Sequence, residues 1–298
     1  MSQPSPDLTP DLTVALAAQA ILGECPRWHA EERRLYWVDI AQNRVHRFDP
    51  ATGEDDFRTF AAPVGCFAFA KGGGFVLGMK DGLARLAGWD AEPVPFGDQV
   101  LAGRADLRLN DGRTDPAGRF WAGSVNMAKS AHDAALYRFD GDGRAVLIED
   151  GMLTCNGAAF TADGRVFHHA DTPSHRLRRY RADPATGTLH DGEMLHEFPH
   201  GTGRPDGGSF DEEGFYWSAL FDGGRVVRLS PKGEIVQTVD LPVPRPTMIA
   251  FGGDDRRTAY ITTARSGLDA DALQAAPLSG AILSFRVDVP GVPEWDFG

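Results

Sequence analysis

One strand-like segment recurs six times along the 298-residue chain, and this repetition constrains the fold more than any other feature. The six copies occupy residues 33–40, 73–80, 118–124, 165–172, 214–220 and 257–264. A second strand-like run follows each copy, and most of these runs end at turn residues such as Asp-Pro or Pro-Lys-Gly. A period of about 40 to 50 residues is the length of chain that one propeller blade uses. The sequence therefore predicts an all-β fold, a six-bladed β-propeller with four-stranded blades around a central channel.

The ends of the chain fit the same interpretation. We expect residues 1–10 to be a flexible N-terminus and residues 11–298 to form the propeller as a single domain. Residues 11–21 are left over from the six repeats, and their strand-like character would let them complete the last blade and close the ring.

A shorter run lies upstream of each repeat and would form the innermost strand, whose first residues reach the channel mouth. Counting eight residues back from the glycine of each following turn (Gly118, Gly164 and Gly214 in the clearest cases) selects one position per blade. The six positions are Glu24, Cys66, Asn110, Asn156, Asp206 and, within a residue or so, Met248. We call them the ring positions, and the near six-fold symmetry should make them face one another.

Four of the six ring positions carry a side-chain oxygen. Two facing carboxylates repel each other unless a cation or a shared proton lies between them, and hard divalent ions prefer carboxylate and carbonyl oxygens. We therefore predict that Glu24, Asn156 and Asp206 bind one divalent metal ion and leave coordination positions open for water and substrate. Oxygen ligands admit Ca, Mg, Mn, Zn or Fe(II).

The sequence also admits alternatives to a metal site at the ring positions. Asn-Gly and Asp-Gly are strong hairpin signals, although each repeat already has its own turn eight residues later. His168 and His169 are neighbours on a strand and would point to opposite faces, so both cannot bind one ion. Cys25 and Cys155 adjoin the predicted ligands, but alternation turns them away, and buried free cysteines usually act as small hydrophobes.

Arg108 lies two residues before Asn110 and would share its channel-facing side by alternation. A cation beside an acidic metal cluster is suited to hold a polar substrate. Arg108 is therefore a candidate substrate-binding residue.

Composition excludes several classes of protein. The net charge is −12 and no Lys/Arg run appears, which argues against a nucleic-acid partner. The three cysteines lack CxxC spacing, which favours a reducing, cytoplasmic location. No apolar run reaches the roughly 20 residues of a membrane span. The sequence leaves open a monomer or a small homo-oligomer.

Several stretches together resemble the regucalcin, gluconolactonase and sugar-lactone lactonase (SGL) family, and most closely its bacterial sugar lactonases such as xylonolactonase or arabinonolactonase. The matching stretches are LGECPRW (22–28), RLNDGRTDPAGRFWAGS (108–124), CNGAAFTADG (155–164), RPDGGSFDEEGFYW (204–217) and PTMIAFGGDDRRTAYITTAR (246–265). The resemblance implies a six-bladed propeller with a single divalent site formed by Glu24, Asn156 and Asp206. It also implies that Arg108 and Asn110 hydrogen-bond the sugar hydroxyls. The chain departs from the family pattern at Cys25, at Cys155 and in the loop 126–132.

The expected function is metal-dependent hydrolysis of a sugar lactone, a small-molecule substrate, to the sugar acid. The metal would polarise the lactone carbonyl or activate water, and Asp206 is the candidate general base. Two alternatives stay open at this point: an esterase or organophosphate hydrolase of the paraoxonase-like kind, and a non-catalytic calcium-binding propeller.

Overall fold

The computed structural model describes residues 11–298, so the expected flexible segment 1–10 lies outside the described residues. After a short strand β1 (Thr13–Leu16), the chain forms five consecutive sheets of four antiparallel strands. The first two sheets are β2 (Gly23–His29), β3 (Arg34–Asp39), β4 (Arg44–Phe48) and β5 (Asp55–Thr59), then β6 (Cys66–Phe69), β7 (Phe75–Gly78), β8 (Leu83–Leu86) and β9 (Val94–Phe96). The next two are β10 (Leu107–Thr114), β11 (Phe120–Asn126), β12 (Ala134–Phe139) and β13 (Ala145–Met152), then β14 (Cys155–Phe160), β15 (Val166–Asp171), β16 (Arg176–Asp183) and β17 (Thr188–Glu197). The fifth is β18 (Arg204–Phe210), β19 (Tyr216–Phe221), β20 (Arg225–Leu229) and β21 (Ile235–Asp240).

The sixth sheet joins the two ends of the chain. Its strands are β22 (Pro246–Gly252), β23 (Thr258–Thr263) and β24 (Ile282–Arg286), and β1 pairs antiparallel with β24 as the fourth strand. The pairing aligns Thr13 with Ser284, and their hydroxyls are 2.8 Å apart. The predicted six-bladed propeller is therefore confirmed, including the closure of the last blade by the N-terminal strand.

Helices are short in this fold. Two 3-10 turns, Ile40–Gln42 and Thr172–Ser174, connect the second and third strands of blades one and four, and one α-helix, Ala270–Ala275, lies in the long connection between β23 and β24. No helix between residues 11 and 298 has the length and apolar character needed to cross a bilayer.

Aspartates that begin the predicted turns hold the first hairpin of two blades. Oδ1 of Asp115 accepts hydrogen bonds from the backbone N–H groups of Ala117 (2.9 Å) and Arg119 (3.0 Å), while Oδ2 accepts from Nε1 of Trp121 at 3.0 Å. Asp211 repeats this pattern in blade five and binds Nε1 of Trp217 at 3.1 Å. The Asp and Trp of each repeat therefore fix the turn and the following strand together.

The apolar core lies between adjacent blades. Trp121 packs edge-on against Phe160 of the next blade, with ring centroids 5.3 Å apart, and Trp28 stacks on Tyr260 at 6.0 Å. The innermost strands of all six blades contact one another around the channel. This packing fixes the inner strands, which carry the ring positions.

The last residues of the chain cross the end of the channel opposite the ring positions. The backbone pairs with blade five at Gly291 and Val292, and with blade two at Phe297. Between these points Glu294 forms ion pairs with two buried arginines of the inner strands, Arg27 and Arg113.

Candidate functional site

The six ring positions all lie in the first half of an innermost strand, at the same end of the channel. Glu24 and Asn156 are the second residues of β2 and β14, Asp206 is the third of β18, and Asn110 is the fourth of β10. Cys66 begins β6, and Met248 is the third residue of β22. The offset counted in the sequence therefore selects structurally equivalent positions.

A β-bulge lies at the ring position or directly after it in the four blades that carry oxygen side chains. The register shifts between Glu24 and Arg27, between Leu109 and Gly112, between Asn156 and Ala159, and between Pro205 and Gly208. A bulge turns the strand locally and redirects side chains beside a site. Simple alternation along the strand does not predict these shifts.

The Asn-Gly and Asp-Gly dipeptides are not hairpin turns, because they lie inside β14 and β18. Their glycines are needed for close approach of the inner strands. Gly157 has φ +66°, and a Cβ there would lie 2.6 Å from the hydroxyl oxygen of Tyr216. A Cβ on Gly207 would lie 2.3 Å from Cγ of Met248.

A chain of hydrogen bonds connects four of the predicted site residues. Nη1 of Arg108 donates to Oδ1 of Asn110 at 2.8 Å, and Nδ2 of Asn110 donates to Oδ1 of Asn156 at 2.7 Å. Nδ2 of Asn156 in turn donates to Oδ1 of Asp206 at 2.6 Å. The structure thus brings Arg108, Asn110, Asn156 and Asp206 into one network.

Glu24 joins this group through charge rather than through a hydrogen bond. Burial raises the pKa of the half-buried Glu24 carboxyl well above its usual range, and the negative charges of Asp206 and Asp111 raise it further. Burial and the charge of Asp111 also raise the pKa of Asp206 to about 8. Both carboxyls therefore resist ionisation as long as no cation is close.

Asp111 is a site-adjacent residue that the count along the repeat did not select. Its side chain is buried, and its oxygens accept hydrogen bonds from the backbone N–H groups of Gly112 (2.8 Å) and Ala158 (3.2 Å). It therefore connects the inner strands of blades three and four directly below the network. The bulge in β10 places it there, and no feature of the sequence indicated this position.

Thr172 is a second residue that the sequence pattern did not reveal. Its hydroxyl accepts a hydrogen bond from Nδ2 of Asn156 at 2.8 Å and donates to the carbonyl of Pro205 at 2.7 Å. It therefore orients the amide of Asn156 and fixes the strand that carries Asp206. Its place at the end of the fourth recurring segment (165–172) is the one signal that the sequence offers.

Two aspartates at the ends of second strands hold the backbone that leads into the site. Asp39 accepts hydrogen bonds from the N–H groups of Ile21 (2.8 Å) and Leu22 (3.2 Å), just before Glu24. Asp171 accepts in the same way from Leu153 (3.2 Å) and Thr154 (2.9 Å), just before Asn156. The same device thus positions Glu24 and Asn156 in their two blades.

The cysteines and the histidine pair lie outside the network. Sγ of Cys25 accepts a hydrogen bond from the N–H of Phe67 at 3.4 Å, and Sγ of Cys155 lies 3.6 Å from Sδ of Met152. His168 packs on Phe210 of blade five with ring centroids 4.6 Å apart, whereas the ring of His169, on the opposite face of the strand, is also buried. Within residues 11–298, no three side chains drawn from His, Cys, Asp and Glu converge as metal ligands.

Comparison with known proteins agrees with the fold and the site-bearing segments. The SMP-30/Gluconolactonase/LRE-like region matches residues 22–265. The 6-deoxy-6-sulfogluconolactonase of Pseudomonas putida is 42% identical over 279 residues, which cover 92% of this chain and 94% of that protein. The pentonolactonase XacC of Haloferax volcanii is 35% identical over 281 residues, which cover 92% and 94%.

A solved structure extends the comparison to the whole fold. A regucalcin from Agrobacterium tumefaciens superposes with a TM-score of 0.93 and covers 100% of both chains at 23% identity. At that identity the likeness concerns the fold alone. The family match over residues 22–265 and the two relatives show that this chain belongs to the SMP-30/gluconolactonase family.

Proposed function

We propose that the protein hydrolyses a sugar lactone to its sugar acid at the ring positions, with one divalent metal ion held by Glu24, Asn156 and Asp206. The observation that carries the proposal is the hydrogen-bonded row from Arg108 to Asp206, which is linked by charge to Glu24. The lactonase relatives that cover more than nine-tenths of the chain support the reaction class.

The donor set suits a divalent cation. Glu24 and Asp206 are two carboxyls whose pKa values are raised, chiefly by burial. A cation between them would offset their repulsion, and carboxylate and amide oxygens are the donors that hard ions prefer. When bound, a divalent ion supplies Lewis-acid chemistry, because it polarises a carbonyl or lowers the pKa of water. Calcium, zinc, manganese, magnesium and iron(II) are the candidate ions.

Asp206 is the proposed general base. Among residues 11–298, hydrogen bonds reach its carboxylate only at Oδ1, where Asn156 donates, so Oδ2 is left to accept a proton from the attacking water. A nearby cation lowers the pKa of a carboxyl and keeps it ionised near neutral pH. Water oxygen then adds to the lactone carbonyl carbon, the ring C–O bond breaks, and Asp206 returns the proton to the ring oxygen, which leaves as a hydroxyl of the sugar acid.

Arg108 and Asn110 are the proposed sugar-binding residues. Burial lowers the pKa of Arg108 to about 10, which still leaves the guanidinium charged at neutral pH. Its Nη1 donates a hydrogen bond to Oδ1 of Asn110. Sugar hydroxyls would share these donors and acceptors, and a substrate fixed in this way meets water in a defined orientation.

The test is turnover of a lactone panel by the chelated protein after each candidate metal is restored. The panel contains gluconolactone, a pentonolactone, a simple aryl ester and an organophosphate triester. We expect hydrolysis of a sugar lactone with at least one metal, and loss of both turnover and metal retention in Asp206→Ala, whose fold is checked by circular dichroism. Preference for the aryl ester or the triester would favour a different hydrolase, and Asp206→Ala with the wild-type rate on every lactone would remove Asp206 from the mechanism.

A further inference from the structure

The residue two positions before each ring position forms a second tier at the channel mouth. The six members are Leu22, Val64, Arg108, Thr154, Arg204 and Pro246. Two of them are arginines, in blades three and five, and none is acidic. In a chain with a net charge of −12, a tier above two carboxylates whose only charged members are two arginines requires an explanation.

A third cation lies at the same end of the channel as these arginines. Lys129 is exposed in the loop 127–133, which leaves the end of β11 where Arg108 pairs with Val125. The charges that act on its ammonium group are those of Asp206, Arg204, Arg108 and Asp171. Among residues 11–298, no carboxylate lies within 4.0 Å of its nitrogen as an ion-pair partner.

The partners of the two arginines leave positive charge at the mouth. Arg108 donates to the carbonyl of Leu109 (2.9 Å) and to Asn110, which are both neutral. Arg204 binds Asp222, but the same carboxylate also binds Arg245 at 2.6 Å, so one negative charge serves two guanidiniums. Asp171 uses Oδ1 on the backbone N–H groups of Leu153 and Thr154, and its charge offsets part of the charge of Lys129.

Metal binding increases this imbalance. Glu24 and Asp206 together would balance a divalent ion, so neither could then offset Lys129 or the arginines. Like charges that converge on one site cost free energy unless an anion enters. A neutral lactone brings no such anion, whereas a lactone with a charged substituent on its exocyclic carbon does.

We propose that Lys129, together with Arg108 and Arg204, forms an anion-binding subsite that selects sugar lactones carrying a phosphate or sulfonate group away from the reacting ester. This inference rests on the proposed function and names the substrate class for the same site. Arg108 and Lys129 come from a strand and a loop of blade three, and Arg204 comes from blade five, so the subsite would span blade four between them. The anion would be held outside the ring positions, while the ester group lies at Asp206.

The experiment compares 6-phosphogluconolactone and 6-deoxy-6-sulfogluconolactone with gluconolactone, which shares their ring and lacks the charge. We expect the wild-type protein to prefer the charged lactones, and Lys129→Gln to lower the ratio of charged to neutral kcat/KM by about 10-fold to 100-fold, mainly through KM, because a charge-assisted hydrogen bond is lost. Lys129→Arg should restore most of the ratio. Lys232→Gln is the matched control, since this exposed lysine lies in the turn after β20, at the opposite end of blade five.

A binding measurement separates failure of the subsite from failure of the proposed function. Calorimetry with 6-phosphogluconate and gluconate should show tighter binding of the phosphorylated acid by wild type, and loss of this difference in Lys129→Gln. Equal kcat/KM values for charged and neutral lactones, or an equal loss for both in Lys129→Gln, would overturn the subsite while leaving lactone hydrolysis intact. If no lactone is hydrolysed, the proposed function fails, and equal binding of the two acids would overturn the subsite as well.

Discussion

Nδ2 of Asn156 lies 2.6 Å from Oδ1 of Asp206 and donates a hydrogen bond to it. Because the same nitrogen also donates to Thr172, the amide is held in one orientation, and its oxygen faces Asn110. The proposed metal site therefore depends on residues that would not touch the metal. Such supporting residues orient ligands, and their loss weakens metal binding.

Removing the Thr172 hydroxyl should weaken the proposed site while preserving the fold. In Thr172→Val the amide of Asn156 loses an acceptor and the carbonyl of Pro205 loses a donor. We expect metal affinity to fall about 10-fold to 100-fold, measured by calorimetry. Thr172→Ser keeps the hydroxyl and is the control; equal affinities in the Val and Ser variants would show that the hydroxyl does not orient Asn156.

Metal binding should release protons and become tighter as the pH rises. Asp206 has a raised pKa of about 8 in the metal-free protein, so most of it is protonated at pH 7, and a metal ligand must be ionised. The pH has the opposite effect on folding stability. A folded-state pKa above the unfolded value of ~3.9 means that the metal-free fold loses stability as the pH rises between those two values.

Calorimetry in buffers with different ionisation enthalpies measures the protons released at pH 7. Asp206→Asn should release fewer protons when it binds metal. It should also lose the pH dependence of folding stability that the Asp206 carboxyl causes. Metal affinity that stays constant between pH 6 and pH 8 would contradict this prediction.

The buried histidines should make the fold sensitive to acid. Burial, with smaller contributions from Arg179 and Arg178, lowers the pKa values of His168 and His169 to about 3. An unfolded histidine has a pKa of ~6.5, so the unfolded state binds more protons between these values and stability is lost as the pH falls. His168→Phe, which keeps an aromatic ring beside Phe210, should gain roughly 2 kcal/mol relative to wild type between pH 6.5 and pH 4.5. Urea unfolding of both proteins at both pH values measures this change. The same difference in unfolding free energy between variant and wild type at pH 6.5 and pH 4.5 would contradict the prediction.

Glu294 should stabilise the end of the channel opposite the site. In Glu294→Ala, Arg27 and Arg113 lose their ion pairs while they remain buried in the inner strands. Removing one partner of a buried ion pair costs about 3–5 kcal/mol, and urea unfolding should detect a loss of this size. Glu234→Ala removes an exposed carboxylate at a surface turn and is the control. A similar, small effect in both variants would mean that the C-terminal segment does not hold the inner strands together.

The sequence was sufficient to predict the blades because each blade repeats the same local pattern of strands and turns. Counting along that repeat also selected equivalent inner-strand positions, and the network from Arg108 to Asp206 lies where the count placed it. The repeat predicted these positions because equivalent residues in a propeller share one backbone environment.

Residues outside the repeat could not be found in this way. Asp111 enters the site region through a bulge, which breaks the alternation that the prediction assumed. Lys129 belongs to the loop 127–133, which is longer than the connections at the same place in blades one, two, four and five. Thr172 reaches Asn156 from a 3-10 turn of blade four, and only the folded geometry brings that turn to the channel mouth.

The central claim is that one divalent metal, held by Glu24, Asn156 and Asp206, is required for lactone hydrolysis. The most direct measurement is lactone turnover and bound metal, quantified in the same samples while a chelated preparation is titrated with the activating ion. We expect turnover to rise in proportion to bound metal, to saturate at one ion per chain, and to be absent along with the bound metal in Glu24→Ala. Full turnover by the metal-free protein, or one bound ion per chain in Glu24→Ala, would contradict this account.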